Sequence, residues 1–344
     1  MQFDQFENNK PAPEDGPPAQ PKPKPLIRKS TYIGALYLLC LVAGLAAILF
    51  KQVSIPQLSG GNKGKSFIPM LQKESIAIVR LDGVISRGQS STIFGDTMVD
   101  RTKKNLEKLI KRKDVKAVIL EINSPGGTVA SCQEIVAHIT KLKAKYKKPI
   151  IALLADVAAS GGYYVASACD SIVSSSGTIT GSIGVIFQTG DFESLLKRFG
   201  IKFNIVKSGK FKDIGSPTRA MKEEERQLLQ TIIDTAYEQF VAAVAMGRGL
   251  PAKRVRELAD GRIYIGEQAY YAKLVDSTNG YDGAIEIAKK KGGIHGEPKI
   301  ISDTNIKEDI FSALFEQRGS VSRFVERLDV NSPGLFYLWP GSMH

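Results

Sequence analysis

One serine in this chain stands in open surroundings, in the segment Asp156-Val157-Ala158-Ala159-Ser160-Gly161-Gly162-Tyr163-Tyr164. A helical-looking stretch over residues 162–168 comes next. A hydroxyl flanked by alanine and glycine, beside the partial positive charge of a helix N-terminus, suits nucleophilic attack on a carbonyl. An ordinary N-cap serine would have the same neighbours. The G-x-S-x-G pattern of a nucleophile elbow is absent, because Ala158 stands at its first glycine. A serine nucleophile needs a base, and the chain has three histidines, His138, His295 and His344. His138 follows the apolar pattern of a helix and reads as structural, while His295 lies in a glycine-rich loop. Lysine remains. Residues 207–217 supply Lys207, Lys210 and Lys212. A lysine base near neutral pH needs its pKa lowered from ~10.4 toward ~7–8, by burial or by nearby positive charge. Asp213, next to Lys212, opposes that shift unless its side chain points away. A solvated surface loop would also carry such lysines.

A second glycine-rich segment, Asn123-Ser124-Pro125-Gly126-Gly127, separates a buried strand from a helix. Glycines there let backbone N–H groups turn toward an oxyanion or a peptide carbonyl, though a plain tight turn has the same composition. The elements that must position these segments can be read from hydrophobic spacing. Strands are predicted over 75–81, 115–122, 149–154 and 203–206, the second and third apolar enough to be buried on both faces. Helices are predicted over 97–112, 128–146, 222–248, 251–259 and 267–272. Strands alternating with crossover helices indicate an α/β domain with a largely parallel sheet.

Residues 1–30 form a Pro- and Lys-rich tail that reads as disordered, and the 19 residues from Tyr32 to Phe50 carry no charge. As a helix that run would be about 28 Å long, close to the hydrocarbon thickness of a bilayer. Lys22, Lys24, Arg28 and Lys29 precede it, which orients the tail to the cytoplasm. A cleavable signal peptide is the alternative. The organisation read from the chain is a tail (1–30), a transmembrane helix (31–50), a linker (51–73), a catalytic domain (74–295) and a C-terminal extension (296–344). Gly64-Lys65-Ser66 lacks the first glycine of a phosphate loop, since position 59 is Ser59. The net charge is +12, with basic runs over 103–116 and 141–148. They fall on helix faces and ends without a nucleic-acid motif, so a solvated face near anionic lipid is expected, with no nucleic-acid partner. Cys132 and Cys169 read as buried free thiols rather than a disulfide. The apolar end, Leu335-Phe336-Tyr337-Leu338-Trp339-Pro340, fits a packing tail, a membrane contact or a segment in a substrate groove.

Taken together, Asn123–Gly127, Ala159–Tyr164, Thr180-Gly181-Ser182-Ile183-Gly184-Val185, Lys210–Pro217, Gly261–Ala269 and Leu274-Val275-Asp276 resemble the signal peptide peptidase A (protease IV) family. The resemblance covers residues 74–290. It implies a Clp-protease/crotonase-like fold built of β-β-α units, and a membrane-anchored serine endopeptidase with a Ser/Lys dyad. By motif position Ser160 matches the nucleophile, Lys212 the general base and Ser182 the serine that holds the lysine amine. Gly126 or Gly127, with Gly161, would supply oxyanion N–H groups. A single copy of the domain resembles the short form of the family. That form implies a homo-oligomer, a ring of eight with the dyad shared between protomers. The implied location is the bacterial cytoplasmic membrane, single-pass, with the catalytic domain outside the cytoplasm. The implied substrates are signal peptides and other apolar peptides, and no metal or organic cofactor is implied. Alternatives are a protease of the same fold acting on other membrane or phage proteins, or an inactive membrane scaffold.

Overall fold

The computed structural model describes residues 73–88, 97–303 and 336–338, all within the second of the two units, Met1–Pro69 and Met70–His344, into which the chain divides. The tail, the apolar run over 31–50 and the linker up to residue 72 lie outside the described residues. Among the described residues no helix is long and apolar enough to cross a membrane.

Three parallel strands form the centre of a seven-stranded sheet: β1 (Ser75–Asp82), β2 (Val115–Ser124) and β4 (Ile150–Ala159). Each is apolar on both faces, and alternate residues feed two cores. Val79, Leu81, Leu120, Ile122, Ala152 and Leu154 face the larger core with α1 (Met98–Ile110) and α2 (Val129–Tyr146). Ile76, Ile78, Ile119, Ile151 and Leu153 face Ala284 and Ala288 of α8 (Gly280–Gly292). Thr97 caps α1 by accepting the Asp100 N–H at 3.2 Å, and α2 ends on a left-handed Lys147.

β4 carries two successive partners on one edge, β5 (Ser171–Val173) and then β6 (Ile179–Gly181), both parallel to it. Beyond β6 lies the antiparallel β7 (Ile263–Ile265). At the far edge β8 (Lys299–Ser302) pairs with β1, so the sheet continues into the C-terminal extension. A small second sheet joins β3 (Gly126–Thr128) to β9 (Phe336–Leu338), antiparallel.

β4 runs five residues past the expected end at Leu154, up to the residue before Ser160. The strand expected over 203–206 does not form. A strand needs a ladder partner, and none lies beside this segment among the described residues. Phe203, Ile205 and Val206 are exposed instead.

They belong to an arm that has no apolar core of its own. From Gly184 to Thr235, Glu225 is the one buried residue. The arm includes α4 (Glu193–Arg198), which buries nothing, and the first half of α5 (Glu223–Arg248). The second half of α5 is anchored by Ala236, Phe240, Val241 and Val244, with the Phe240 ring edge-on to Tyr164 at 5.1 Å. A Phe240→Ala chain should lose ~3–5 kcal/mol in urea unfolding. Met246→Ala, at an exposed position of the same helix, should stay within ~0.5 kcal/mol of wild type.

Candidate active site

Ser160 and Ser182 leave the sheet side by side. Ala159 of β4 is in register with Gly181 of β6, so the next residue on each strand is a serine. The Ser160 amide donates to Gly181 O at 2.7 Å, and the Ser182 amide donates to Arg262 O at 2.8 Å. Both serines are buried, with φ of 52° and 48°. A side chain in that region of backbone space costs ~1–3 kcal/mol, and such strain collects at functional sites. The two are among four non-glycine residues with positive φ in the described chain.

Ser160 turns directly from β4 into α3 (Gly161–Ala166), with ψ −115° and no cap bond from its side chain. That excludes the plain N-cap reading. Strand, strained serine and helix reproduce the geometry of a nucleophile elbow without its sequence pattern. Small neighbours are required here. A Cβ on Gly161 would lie 2.6 Å from Cys132 Sγ and 3.0 Å from Gly127 N, and one on Gly162 would lie 2.9 Å from Ser124 O.

The glycine pair is an edge rather than a simple turn. Gly126 donates its amide to Ser124 Oγ at 3.1 Å, while its carbonyl accepts from Ile85 at 2.8 Å. The Thr128 amide donates to Ile85 O at 2.9 Å. Successive peptide groups of a strand face opposite sides, so Gly127 turns its N–H and C=O away from Ile85, toward β9. Gly127 is in register with Tyr337 there. The Tyr337 carbonyl oxygen lies against Gly126 and 3.1 Å from where a Gly161 Cβ would stand. Gly127, Gly161 and one peptide carbonyl therefore converge beside Ser160, while the Gly126 amide is already committed. This arrangement can polarise a carbonyl with backbone N–H groups.

An extended C-terminal segment of the chain thus lies along the glycine edge, with Phe336 also bridged to Ile186. Of the three roles open to the apolar tail, its described residues take the packing one: Tyr337 joins the main apolar core. The Tyr337 side chain is fully buried. Its ring sits 4.6 Å from Phe240 and 5.1 Å from Tyr164, and its hydroxyl donates to Ala236 O at 3.0 Å. Sequence reasoning did not single out Tyr164, Phe240 and Tyr337 as site residues. The signal available was the aromatic run in an otherwise unmatched tail.

Lys212 is placed differently. It is exposed on the turns of the arm, and its amine makes no hydrogen bond or ion pair with any described residue, Ser160 and Ser182 included. The other two lysines of the segment are occupied: Lys207 pairs with Asp213 and Lys210 with Glu224 at 3.0 Å. Asp213 is also bound by Arg219 at 2.8 Å, and these two cations hold its carboxyl well below the usual range. His138 is half-buried, 3.1 Å from Lys103 O, and burial lowers its pKa; His295 is exposed. Cys132 and Cys169 are buried free thiols. Burial raises both pKa values, that of Cys169 to about 12, so neither is a poised thiolate. Among the described residues no group of three or more His, Cys, Asp or Glu side chains could hold a metal ion.

Residues 142–295 match the model of peptidase family S49. The chain is 39% identical over 232 residues to a Synechocystis protein named "Putative protease slr0021", covering 67% of this chain and 79% of that one. It is 38% identical to an Enterococcus faecium protein named "Putative signal peptide peptidase SppA", covering 63% and 64% of the two chains. It is 35% identical to the chloroplastic serine protease SPPA of Arabidopsis thaliana, over 66% of this chain and 34% of that protein. With a parallel-rich α/β sheet and two strained serines at adjoining strand ends, the chain belongs to peptidase family S49, the signal peptide peptidase A (protease IV) family.

Proposed function

We propose that this protein is a membrane-anchored serine endopeptidase of Clp-protease/crotonase-like fold that cuts signal peptides and other apolar peptides. Ser160 attacks the scissile carbonyl, Lys212 accepts its proton and returns it to the leaving amine, and Ser182 holds the lysine amine. The N–H groups of Gly127 and Gly161 stabilise the oxyanion. One observation carries this reading: an extended antiparallel segment sets Tyr337 in register with Gly127 and its carbonyl against Gly126 and Gly161. A substrate strand would add to the same edge by backbone pairing and place an apolar side chain between Tyr164 and Phe240.

Lys212, exposed and without a side-chain partner among the described residues, is completed as a base by a neighbouring protomer. The arm that carries it leaves Phe192, Leu195, Phe199, Phe203, Ile205 and Val206 exposed, an apolar surface suited to a second copy. A ring with heterologous interfaces, eight protomers in the short form of the family, would bring each Lys212 to the next Ser160. The apolar run over 31–50 would anchor the assembly in the bacterial cytoplasmic membrane with its catalytic domain outside the cytoplasm.

Full-length chain in detergent should hydrolyse a fluorogenic apolar peptide. Ser160→Ala and Lys212→Ala should each lower kcat by at least about 10³-fold, the scale of losing a nucleophile or its base; unchanged turnover in either contradicts the dyad. A chain ending at Pro333 should cleave the peptide at least about fivefold faster, because a tethered occupant competes at an effective concentration of order mM. An equal or slower rate from the folded shortened chain would show that β9 does not compete with substrate.

A further inference from the structure

We propose that Arg219 is a positioning residue for the peptidase reaction: by clamping Asp213 to Glu225 it fixes the direction of Lys212 and keeps the adjacent carboxylate away from the lysine amine. The proposal rests on Lys212 as the general base.

The arm has no apolar core, so polar bonds must set its shape, and Arg219 is their hub. Its guanidinium reaches Glu225 with two bonds, Nη1 to Oε2 at 2.8 Å and Nη2 to Oε1 at 2.5 Å. From the same group Nε donates to Asp213 Oδ2 at 2.8 Å, Nη2 to Asp213 O at 3.1 Å and Nη1 to Ala220 O at 3.0 Å. The planar fork satisfies two carboxylates and two carbonyls at once, which a lysine could not do. Glu225 is fully buried and also accepts the Lys222 amide at 3.0 Å at the start of α5. The clamp therefore ties the residue after Lys212 to a helix that is itself anchored by Phe240. Asp213 engages Arg219 and Lys207 through separate carboxylate oxygens and, among the described residues, makes no bond to Lys212.

The chemical value of this arrangement lies in charge. A carboxylate paired with Lys212 would stabilise the ammonium and oppose deprotonation. Here the negative charge is offset by two cations. The charged groups facing Asp213 are Lys207 and Arg219, with Glu225 behind the arginine. Glu193 of α4 accepts the Ala220 amide at 3.2 Å, and Glu224 is taken by Lys210. Arg219 holds the Glu225 pKa at about 2, below the unfolded value of ~4.3. Its contribution is thus complete above about pH 4.3 and lost only as the pH falls toward 2.

The test measures kcat/KM against pH for the full-length oligomer in detergent, with the fluorogenic apolar peptide as substrate. In Arg219→Gln the rising limb should move to higher pH by about one unit, with KM little changed. Asp213→Asn should move it lower, and the double variant should return near wild type. A purely structural role would scale the curves without moving their midpoints, and superimposable midpoints in both single variants overturn the proposal. If Arg219→Gln does not fold, Asp213→Asn decides alone: a lower midpoint supports the proposal and an unchanged one overturns it. Lys212→Ala in the same series separates the positioning role from the general base. Activity retained there overturns the general base itself. Activity lost there, with unshifted Arg219 and Asp213 variants, overturns only the positioning role.

Discussion

β4 and β6 run parallel for three residues, and the 2.7 Å hydrogen bond from the Ser160 amide to Gly181 O closes that pairing. The rest of the site depends on it. The pairing sets the ends of two strands level, so that Ser160 and Ser182 emerge together, and it holds both in a backbone region that each would leave if released. The strain at Ser160 is tolerated because β4 is buried on both faces and α3 begins without a linker. The turn then fits only with small residues at the start of α3. Gly161 packs within a Cβ's reach of Cys132 and Gly127, which brings the glycine edge against the serine. One short stretch of pairing therefore places Ser160, the neighbouring Ser182 and the glycine edge together.

The molecule uses two kinds of stabilisation for two kinds of task. Around the serines, apolar burial on both faces of the sheet gives a rigid frame, as the density of fully buried Val, Ile and Leu on β1, β2 and β4 shows. Around Lys212 there is almost no apolar burial, and shape comes from charge-assisted hydrogen bonds through Arg219. Such a network orders a segment without hiding its apolar surface. The arm therefore keeps Phe192, Phe199 and Phe203 available for contact outside the chain. A rigid serine half and a polar-braced lysine half suit a site assembled from two protomers.

The frame was largely legible in the sequence, because buried parallel strands and amphipathic helices have distinct periods. Val115–Ser124 and Val129–Tyr146 fall close to their expected bounds. Legibility failed where neighbours rather than local pattern decide. Residues 203–206 have the composition of a strand, yet no ladder partner stands beside them among the described residues. β4 continues through Ala155–Ala159 because β6 pairs with its end, a long-range fact that no local window contains. Ser160 was recognisable from its alanine and glycine neighbours and from motif resemblance, but its φ of 52° was not. That the Gly126 amide is taken by Ser124 Oγ and that Tyr337 reaches the glycine edge both depend on the fold, which no local window contains.

If one protomer's Lys212 serves the next protomer's Ser160, two inactive chains must complement each other on co-assembly. Full-length Ser160→Ala and Lys212→Ala chains, each inactive alone, are unfolded together, reassembled at equal amounts and assayed on the fluorogenic peptide. Random mixing joins an intact serine to an intact lysine at about one interface in four, so about a quarter of wild-type activity should return. Mixed oligomers that form but remain inactive would contradict a dyad shared between protomers.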